Sequence, residues 1–439
     1  MTVHASDGSN VLADFGEERL DALQRHAFEY FLHQTNPING LVADKSKPGA
    51  PASIAAVGFA LASYPAGVKR GWITRINAIE LTLALLRFIR HSAQDATLNA
   101  TGYKGFYYHF LDMTTGRRVG RCELSTVDTG FLLAGMLAAA RFFDRDDELE
   151  HEIRDLSELL YGRVDWLWAC NEGATLTHGW KPESGFLPYR WQGYDEALLL
   201  YVLGLGSPTY PLPMASYTAW AATYQWKVVD GYECLYGGPL FLHQYSHCWL
   251  DLRGIQDAFM RDKGIDYFEN SRRATYAQRA YAIRNPLEFA GYGADFWGLT
   301  ASDGPGPTTR RIGGIERTFF DYIARGTPYG PDDGTIAPWA AVASLPFAPE
   351  IVLPAIRHLQ DAYPHASGEY CFRCSINPTY SIDSDPSVLW TSAYHFGINL
   401  GPLVMMCENF RSDLLWRLMR ACPHVRTGLK RAGFTKGWL

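Results

Sequence analysis

A loop rich in aromatic residues contains the first candidate for catalysis. Residues 179–196 read GWKPESGFLPYRWQGYDE and lead directly into the apolar segment ALLLYVLGL. The carboxyl group of Glu196 would lie among aromatic rings, where burial disfavours the ionised form and raises the pKa, as a general acid requires. The start of the following helix opposes this shift because it favours the anion. Asp195 and Glu196 also suit a helix start for structural reasons alone, and both interpretations stay open.

A second candidate is the acidic segment ELSTVDTGFLLAG, which begins at Glu123. Ser125 or Thr126 can cap a helix that has Asp128 in its first turn, and this is the structural explanation of the pattern. An uncharged run follows Asp128, so carboxylates from this segment and from residues 179–196 could face one pocket. Two carboxyl groups are the minimum for hydrolysing a glycosidic bond: one protonates the leaving oxygen, and the other activates water or attacks carbon.

The segment 237–257, GGPLFLHQYSHCWLDLRGIQD, combines histidines with neutral hydrogen-bonding side chains. His243 and His247 have the i, i+4 spacing of a zinc pair, but Gln244 stands where a metalloprotease has glutamate, so no zinc site is predicted. Gln244, Tyr245 and His247 instead offer donors and acceptors that suit either sugar hydroxyls or buried hydrogen bonds.

The loop 297–307, WGLTASDGPGP, has the turn chemistry of Asp303-Gly304-Pro305. Asp303 is either an Asx-turn residue or a ligand to substrate. The sequence contains no Walker loop, no GxGxxG after a strand and no GxSxG elbow, so nucleotide chemistry and serine hydrolysis are not predicted.

Helices separated by long loops must position these residues. Helical periodicity is found in 16–34, 51–63, 72–92, 125–143, 146–169, 194–204, 249–261, 268–283, 315–325, 337–344, 349–362, 400–420 and 424–432. One hairpin is predicted at 103–120, around Thr115-Gly116. About a dozen helices with long aromatic loops predict a single closed ring of helix pairs with a cleft at one end, whereas the lack of a repeat disfavours an α-solenoid. We predict one domain over 1–439, with an ordered core at about 16–434.

Composition excludes several classes of protein. The 439 residues have a formal charge of −6 with no basic block, so a nucleic-acid partner is not expected. No apolar run reaches the length of a membrane span, and no secretory signal is visible in this chain. A cytoplasmic location is the default expectation, with the periplasm or secretion left open for a processed or trimmed chain. The eight cysteines lie mostly alone, which predicts reduced thiols, and the single CxxC of Cys371 and Cys374 predicts no metal.

Long blocks of the sequence resemble the glucoamylase-like domain family, which includes endo-β-1,2-glucanases and the processing domain of cyclic β-1,2-glucan synthases. The blocks are GWKPESGFLPYRWQGYDEALLLYVLGLGSP, GPLFLHQYSHCWLDLRGIQD, NSRRATYAQ, WGLTASDGP, DDGTIAPWAAVASLPFAPE and GPLVMMCENFRSDLLWRLMRACP. The resemblance covers about residues 16–434. It implies an all-α (α/α)6 toroid, with long loops and a small β-hairpin forming the cleft, that hydrolyses β-1,2-glucan with inversion and without a metal or cofactor.

The resemblance also implies roles for the acidic residues. GYDEA is similar to the family's GYNEA, whose glutamate is the acid, so Glu196 is the expected acid. Asp195 stands at a position that is normally Asn, which weakens its claim to a catalytic role. The ELSTVD block is similar to the acidic segment of the family's substrate site, so Glu123 and Asp128 are expected at the cleft.

Two motifs depart from the family pattern. GINLGP has Asn399 in place of Asp and Leu400 in place of Gln, and CFRCSINPT has Cys374 at a position that is commonly Asp. Neither an amide nor a neutral thiol can act as a carboxylate base. Either another carboxylate serves, or the activity has diverged. The candidates for the base are Glu123, Asp128, Asp383 and Asp385.

We therefore predict an endo-acting, inverting hydrolase that converts β-1,2-glucan to β-1,2-gluco-oligosaccharides. The alternatives are a transglycosylase on the same glucan and a catalytically silent glucan-binding protein. The predicted substrate-binding residues are Trp180, Lys181, Glu183, Tyr189, Arg190, Trp191, Tyr194, Gln244, Tyr245, His247, Trp297, Asp303 and Asn399. Roughly a third of the aromatic members are expected to be core residues, because large aromatic side chains fill cores by default.

Overall fold

The computed structural model describes residue 12 and residues 15–382 and 385–439, without the side chains of 381–388. Its helices are α1 (Glu17–His33), α2 (Ile54–Arg70), α3 (Arg75–His91), α4 (Thr126–Phe142), α5 (Glu148–Gly162), α6 (Trp166–Ala169), α7 (Leu198–Gly206), α8 (Met214–Ala221), α9 (Tyr245–Trp249), α10 (Ala258–Lys263), α11 (Tyr267–Arg284), α12 (Pro338–Ala343), α13 (Pro349–Ala362), α14 (Gly397–Ser412), α15 (Leu414–Arg420) and α16 (Pro423–Arg431). Short 3-10 turns occur at Leu240–His243 and Pro364–Ala366. Most of these helices coincide with a predicted segment.

The strands are short and lie between the helices. They are β1 (Ala52–Ser53), β2 (Gly102–Tyr103), β3 (Phe106–Tyr108), β4 (Phe110–Leu111), β5 (Leu124–Ser125), β6 (Gly179–Lys181), β7 (Gly185–Phe186), β8 (Trp226–Val229), β9 (Tyr232–Leu235), β10 (Ala301–Ser302), β11 (Thr308–Ile312), β12 (Ile315–Phe319), β13 (Ile323–Ala324), β14 (Ser367–Gly368), β15 (Cys371–Phe372), β16 (Ile376–Ile382) and β17 (Asp385–Thr391). One antiparallel sheet has the order β2-β3-β5-β6-β7, and the other described strands form two-stranded pairs.

The chain forms two compact units, each assembled from three separate stretches. The first unit comprises residues up to Glu29, Trp226–Tyr245 and Phe268–Arg411. The second unit comprises Tyr30–Gln225, Ser246–Tyr267 and Ser412–Leu439. The expectation of one domain over 1–439 stays a prediction.

The core of the second unit forms around α2 and α4. Both helices are apolar on nearly every side and are buried along most of their length, which is typical of helices inside a core. Glycines allow the two backbones to approach closely. A Cβ atom on Gly58 would lie 2.3 Å from the carbonyl oxygen of Phe131, and a Cβ atom on Gly135 would lie 2.3 Å from the carbonyl oxygen of Gly58. This packing fixes α4 and therefore the acidic segment at its start.

The first unit contains a buried ion pair in addition to its apolar core. Arg325 binds Asp333 through two hydrogen bonds of 2.7 and 2.8 Å, and neither side chain is exposed. The same guanidinium donates to the carbonyl oxygen of Ser302 at 2.7 Å. These bonds hold the loop that contains Asp303.

Some predicted elements are wrong. Residues 315–325 form β12 and β13 rather than a helix, because Gly313 and Gly314 both adopt positive φ and close a two-residue hairpin between β11 and β12. The predicted helix at 249–261 is interrupted, since Gly254 has φ of 72° and Asp257 caps a new helix, α10. Helix α8 lies between the helical segments predicted at 194–204 and 249–261, where no helix is predicted. The hairpin turn at Thr115-Gly116 is confirmed by a bridge between Leu111 and Arg118.

The cysteines and the helices agree with two other expectations. All eight cysteines are free thiols, and seven of them are buried. Among the residues that the structure describes, no helix is long and apolar enough to cross a bilayer.

Candidate active site

The backbone of Glu196 is fixed at the entry to α7. The hydroxyl of Ser246 donates to the carbonyl oxygen of Glu196 at 3.2 Å and accepts the N–H of Leu199 at 3.1 Å. Ala197 precedes the helix and has no side-chain acceptor, so Ser246 supplies the cap from α9. The helix begins at Leu198. The prediction that Glu196 lies in the first helical turn is therefore wrong by two residues.

Asp195 holds the backbone immediately before α7 in place. Its Oδ1 atom accepts the N–H of Ala197 and the indole N–H of Trp220, both at 3.0 Å. The Trp220 side chain is fully buried, so these bonds anchor Asp195 to the core. Burial raises the pKa of Asp195, and the two hydrogen bonds offset this only in part. An asparagine oxygen could accept the same two bonds, so the structure gives Asp195 a positioning role.

The environment of Glu196 favours its protonated form. Desolvation by burial and then the charge of Asp195 raise the pKa of Glu196 to about 8. The charge of Asp128 acts in the same direction, whereas a hydrogen bond from the backbone of Glu196 opposes it. This is the direction that the aromatic surroundings predict. A carboxyl group that keeps its proton near neutral pH can act as a general acid.

A histidine that sequence reasoning missed links the two acidic residues of the ELSTVD segment. Nδ1 of His109 lies 3.0 Å from Oε1 of Glu123, and Nε2 lies 3.5 Å from Oδ2 of Asp128. Burial disfavours the imidazolium, but the charge of Asp128 and the hydrogen bond to Glu123 outweigh it and raise the pKa of His109 to about 9. The bond from His109 in turn lowers the pKa of Glu123 to about 2. At neutral pH, a cation therefore lies between two acidic side chains.

Strand register brings His109 to this position. Tyr108 pairs with Leu124, and the N–H of His109 donates to the carbonyl oxygen of Glu123 at 2.9 Å. Directly opposed residues of an antiparallel pair project their side chains to the same face. The sequence predicts the hairpin at 103–120 and the acidic block separately. It does not predict that the two segments pair, and only this pairing identifies His109 as a neighbour of Glu123.

Asp128 lies in the capped first turn of α4 and also contacts His109. The Oγ atom of Ser125 accepts the N–H of Asp128 at 3.3 Å, which confirms the predicted cap of α4. The buried carboxyl group of Asp128 contacts His109 and contributes to the raised pKa of Glu196. The structural and functional interpretations of this residue are therefore compatible.

Together, these side chains of the second unit form an asymmetric acidic cluster. Glu196 has a raised pKa, Glu123 a lowered one, and Asp128 contacts the same imidazolium as Glu123. Carboxyl groups whose environments push their pKa values apart are suited to separate acid and base roles. The arrangement can supply a proton and accept one.

Seven of the predicted sugar-binding residues are at least partly accessible, and four of them, Trp180, Lys181, Tyr189 and Tyr194, present ring or ammonium groups. Trp180 lies in β6 with its ring 5.2 Å from that of Tyr103, and the neighbouring Lys181 contributes to the lowered pKa of Glu123. The side chain of Tyr189 is 66% exposed. Tyr194 is half-buried.

Other predicted contacts of the same loop are engaged within the protein. Trp191 is buried, and its indole donates to Oγ1 of Thr126 at 3.0 Å. Arg190 donates to three backbone carbonyl groups in residues 170–175. Glu183 accepts two hydrogen bonds from Arg118. These contacts shape the loop, and any role in sugar binding stays a prediction.

The predicted residues Gln244, Tyr245, His247 and Trp297 are all buried. Gln244 donates to the carbonyl oxygen of Ala340 at 2.6 Å. The hydroxyl of Tyr245 donates to the carbonyl oxygen of Ile398 at 3.4 Å. Half of the six aromatic residues predicted to bind sugar are thus buried, namely Trp191, Tyr245 and Trp297.

The two departures from the family pattern meet in the first unit. The Nδ2 atom of Asn399 donates to the Sγ atom of Cys374 at 3.1 Å. The backbone N–H of Asp303 donates to the same sulfur at 3.4 Å, and Oδ2 of Asp303 accepts the hydroxyl of Ser392 at 2.9 Å. Burial raises the pKa of Cys374 to about 12, so the thiol is neutral and neither departure supplies a base.

Two candidates for the base lie where the structure describes no side chain. Asp383 lies outside the described residues, and the side chain of Asp385, at the start of β17, is likewise not described. Their proposed roles stay predictions. Among the described residues, no group of three His, Cys, Asp or Glu side chains could hold a metal ion.

Comparison with known proteins gives consistent matches. Residues 188–423 match the family model Glycoamylase, described as "Putative glucoamylase". The chain is 30% identical over 453 aligned positions to the exo β-1,2-glucooligosaccharide sophorohydrolase (non-reducing end) of Parabacteroides distasonis. That match covers 94% of this chain and 58% of the relative, so the chain spans less than two thirds of the relative's length.

Solved structures match over the whole chain. A "putative glucoamylase" from Bacteroides uniformis is 30% identical with a TM-score of 0.85, and each chain is covered completely. The endo-β-1,2-glucanase of Chitinophaga pinensis, in complex with sophorotriose and glucose, is 26% identical with a TM-score of 0.84. That match covers 99% of this chain and 100% of the glucanase. The predicted fold class, an all-α (α/α)6 toroid with small strands, is confirmed.

The family model covers more than half of the chain and includes Glu196, the residue that the GYDEA block marks as the expected acid. The protein is thus a member of the Glycoamylase family, as the resemblance of its sequence blocks implied.

Proposed function

We propose that this protein hydrolyses β-1,2-glucan by an inverting mechanism, cleaving within the chain to release β-1,2-gluco-oligosaccharides. The observation that carries the proposal is the acidic cluster, in which burial raises the pKa of Glu196 while Glu123 and Asp128 both contact His109. The relatives from Parabacteroides distasonis and Chitinophaga pinensis, named for activity on β-1,2-linked glucans, support the substrate class.

Glu196 is the general acid in this proposal. Its proton passes to the glycosidic oxygen as the bond to the anomeric carbon breaks, so that the leaving sugar departs as an alcohol. A bridging sugar hydroxyl or water can relay the proton. Ser246 and Asp195 fix the backbone that presents the carboxyl group.

Asp128 is the proposed base among the described candidates. It lies close enough to Glu196 for its charge to contribute to the raised pKa. Glu123 makes the shorter contact with His109, and its pKa of about 2 makes it a weak proton acceptor. Asp128 therefore takes a proton from water as the water oxygen attacks the anomeric carbon, and Glu123 positions His109.

The experiment that tests these roles compares Glu196→Gln and Asp128→Asn with the wild type on β-1,2-glucan. We expect each substitution to lower kcat by about 10²–10⁴-fold, the contribution typical of one general acid or base. Azide should restore turnover to Asp128→Asn, because this anion attacks without needing a base. The exposed Asp146→Asn provides a matched control with unchanged turnover. Wild-type rates in Glu196→Gln would refute the assigned acid.

The mode of cleavage and its stereochemistry are read from the products. Endo cleavage is supported by the match to the whole Chitinophaga pinensis endo-β-1,2-glucanase, whereas the exo-acting relative is matched over 58% of its length. Chromatography at early times should reveal a range of oligosaccharides, and release of disaccharide alone would indicate exo cleavage. Optical rotation should show inversion of the anomeric carbon. Products longer than the substrate would indicate transglycosylation.

A second function is favoured by the neutral contact between Asn399 and Cys374. If the base of the resembled family is absent and nothing replaces it, the protein binds β-1,2-glucan without cleaving it. The glucan would then raise the melting temperature, and no reducing ends would form on long incubation. Measurable hydrolysis that Glu196→Gln abolishes excludes this alternative.

A further inference from the structure

A groove in the second unit lies along α3 and does not include the acidic cluster. Its cavity has a volume of about 920 Å³, within the range of ligand pockets. Leu83 and Phe88 of α3 provide apolar surface, and Asn99 and Thr115 of the following loops provide polar groups. Neither Glu196 nor Asp128 lines this cavity.

A second cavity continues from the first across a turn. It has a volume of about 530 Å³ and is lined by Asn36, Pro48 and Asp112 among others. Thr114 lines both cavities, so the turn formed by residues 112–117 separates them. Two adjoining cavities with one shared wall suit an elongated ligand better than a compact one.

The turn between the cavities is held rigidly. Oδ1 of Asp112 accepts the backbone N–H groups of Thr114 and Thr115 at 3.1 and 2.7 Å. Asn36 donates to the carbonyl oxygen of Met113 at 2.8 Å. A preformed wall of this kind lowers the conformational entropy lost when a ligand binds.

The other side of the turn packs on the aromatic ring of the groove. Gly116 has φ of 67°, and a Cβ atom there would lie 2.0 Å from Cζ of Phe88. The close contact places the polar turn directly beside the aromatic ring. Pyranose rings combine apolar C–H faces with hydroxyl groups, and a surface with aromatic and polar groups side by side matches both.

The charges in the groove balance one another. Arg87 is neutralised by Glu152, to which it donates through Nε at 2.7 Å. Glu80 and Arg117 carry opposite charges, and within the described residues no ion pair or hydrogen bond engages either side chain or that of His91. The groove therefore offers planar polar groups without net charge, which suits a neutral ligand rich in hydroxyl groups.

We infer that this groove is a second glucan-binding site, which holds a linear β-1,2-gluco-oligosaccharide away from the residues that cleave it. The inference rests on the proposed function for the identity of the sugar. Phe88 contacts the apolar face of a pyranose ring, while Arg117, His91 and Glu80 bind its hydroxyl groups. A longer oligosaccharide crosses the turn at Thr114 and occupies both cavities.

Hydrogen–deuterium exchange locates this binding directly. The probe is a linear β-1,2-glucohexaose, added to the Glu196→Gln protein so that the sugar is not consumed. We expect slower exchange in residues 87–101 and 112–119, in addition to residues near Glu196. The disaccharide sophorose should protect the groove less, because it cannot span both cavities.

Variants distinguish the groove from the acidic cluster. Arg117→Ala combined with His91→Ala should abolish the protection of residues 87–101 and retain that near Glu196. Arg90→Ala is the matched control, since Arg90 is an exposed arginine of α3 that does not line the groove. Protection near Glu196 without protection of the groove overturns the inference, as does groove protection that survives the double substitution. Wild-type protein that neither hydrolyses the glucan nor shows protection near Glu196 overturns the proposed function instead.

Discussion

The side-chain amide of Asn399 donates a hydrogen bond to the thiol sulfur of Cys374, with 3.1 Å between Nδ2 and Sγ. Both residues are buried, and burial keeps the thiol neutral. Asn399 and Cys374, which both stand where the resembled family commonly has Asp, are therefore direct neighbours. The contact between them is neutral, so neither of these positions supplies a carboxylate in this chain.

The first prediction concerns the stability of this pair. Cys374→Ala removes the acceptor used by the Nδ2–H of Asn399 and the N–H of Asp303, so buried donors lose their partner. We expect the free energy of unfolding to fall by about 1–3 kcal/mol, the cost of leaving a buried polar group unsatisfied. Urea denaturation measures this change. Cys374→Ser keeps an acceptor and should lose less, and an equal loss in both variants would contradict the explanation.

The second prediction concerns the pH dependence of activity. Asp195→Asn keeps an oxygen that can accept from Ala197 and Trp220 but removes the charge that helps to raise the pKa of Glu196. The alkaline limb of the kcat profile should move to lower pH, because the general acid loses its proton earlier. An unshifted limb would mean that Asp195 has no electrostatic influence on the acid.

The third prediction concerns stability as a function of pH. The pKa of Glu196 in the folded protein is about 8, above the ordinary value of 4.5. Between these values the folded state keeps a proton that the unfolded chain releases, so rising pH lowers the free energy of unfolding. Glu196→Gln removes this effect and should become more stable relative to the wild type as the pH rises from 5 to 8. Unfolding curves at several pH values test this.

A matched control separates this effect from the general pH response of the fold. Glu172→Gln makes the same substitution at an exposed glutamate, and the change in stability with pH is compared between the two variants. If Glu196→Gln behaves like this control, the carboxyl group of Glu196 is not desolvated as the structure indicates.

The fourth prediction concerns His109. Its folded-state pKa is raised from 6.5 to about 9, so its ion pairs with Glu123 and Asp128 stabilise the fold fully below pH 6.5 and less as the pH rises through 9. His109→Gln should cost about 1.5–3 kcal/mol at pH 6, the usual worth of a hydrogen bond to a charged group. The difference from the wild type should shrink at pH 9.5. Denaturation at the two pH values measures it, and a constant difference would mean that packing alone explains the loss.

Sequence periodicity predicted the fold where helix signals are local. The helix predicted at 349–362 has those bounds in the structure, because a proline at its start and an amphipathic pattern mark it clearly. The helix predicted at 315–325 is wrong because its apolar spacing suits either structure over a short run, and Gly313-Gly314 decides for a hairpin. The local sequence pattern alone therefore cannot distinguish a helix from a β-hairpin in this segment.

In the candidate site, too, residues marked by the local sequence could be named in advance, whereas residues placed by tertiary contacts could not. Glu196 and Asp128 could be named as candidates because aromatic neighbours and an uncharged helix mark them in the sequence, and their catalytic roles stay predictions. His109 and Ser246 could not, since His109 meets Glu123 through strand register and Ser246 reaches Glu196 from 50 residues along the chain. Residues that act through tertiary contacts leave no local pattern, and these two hold the charged groups in place.

The last prediction tests whether Ser246 positions the acid. Its hydroxyl bonds both the carbonyl oxygen of Glu196 and the N–H of Leu199, so Ser246→Ala removes the cap of α7 and should cost about 0.5–2 kcal/mol. Because the backbone of Glu196 would then be less well fixed, kcat should fall more than KM changes. Ser246→Thr retains the hydroxyl and should recover part of kcat. If Ser246→Ala lost stability but kept the wild-type kcat, Ser246 would cap the helix without positioning Glu196.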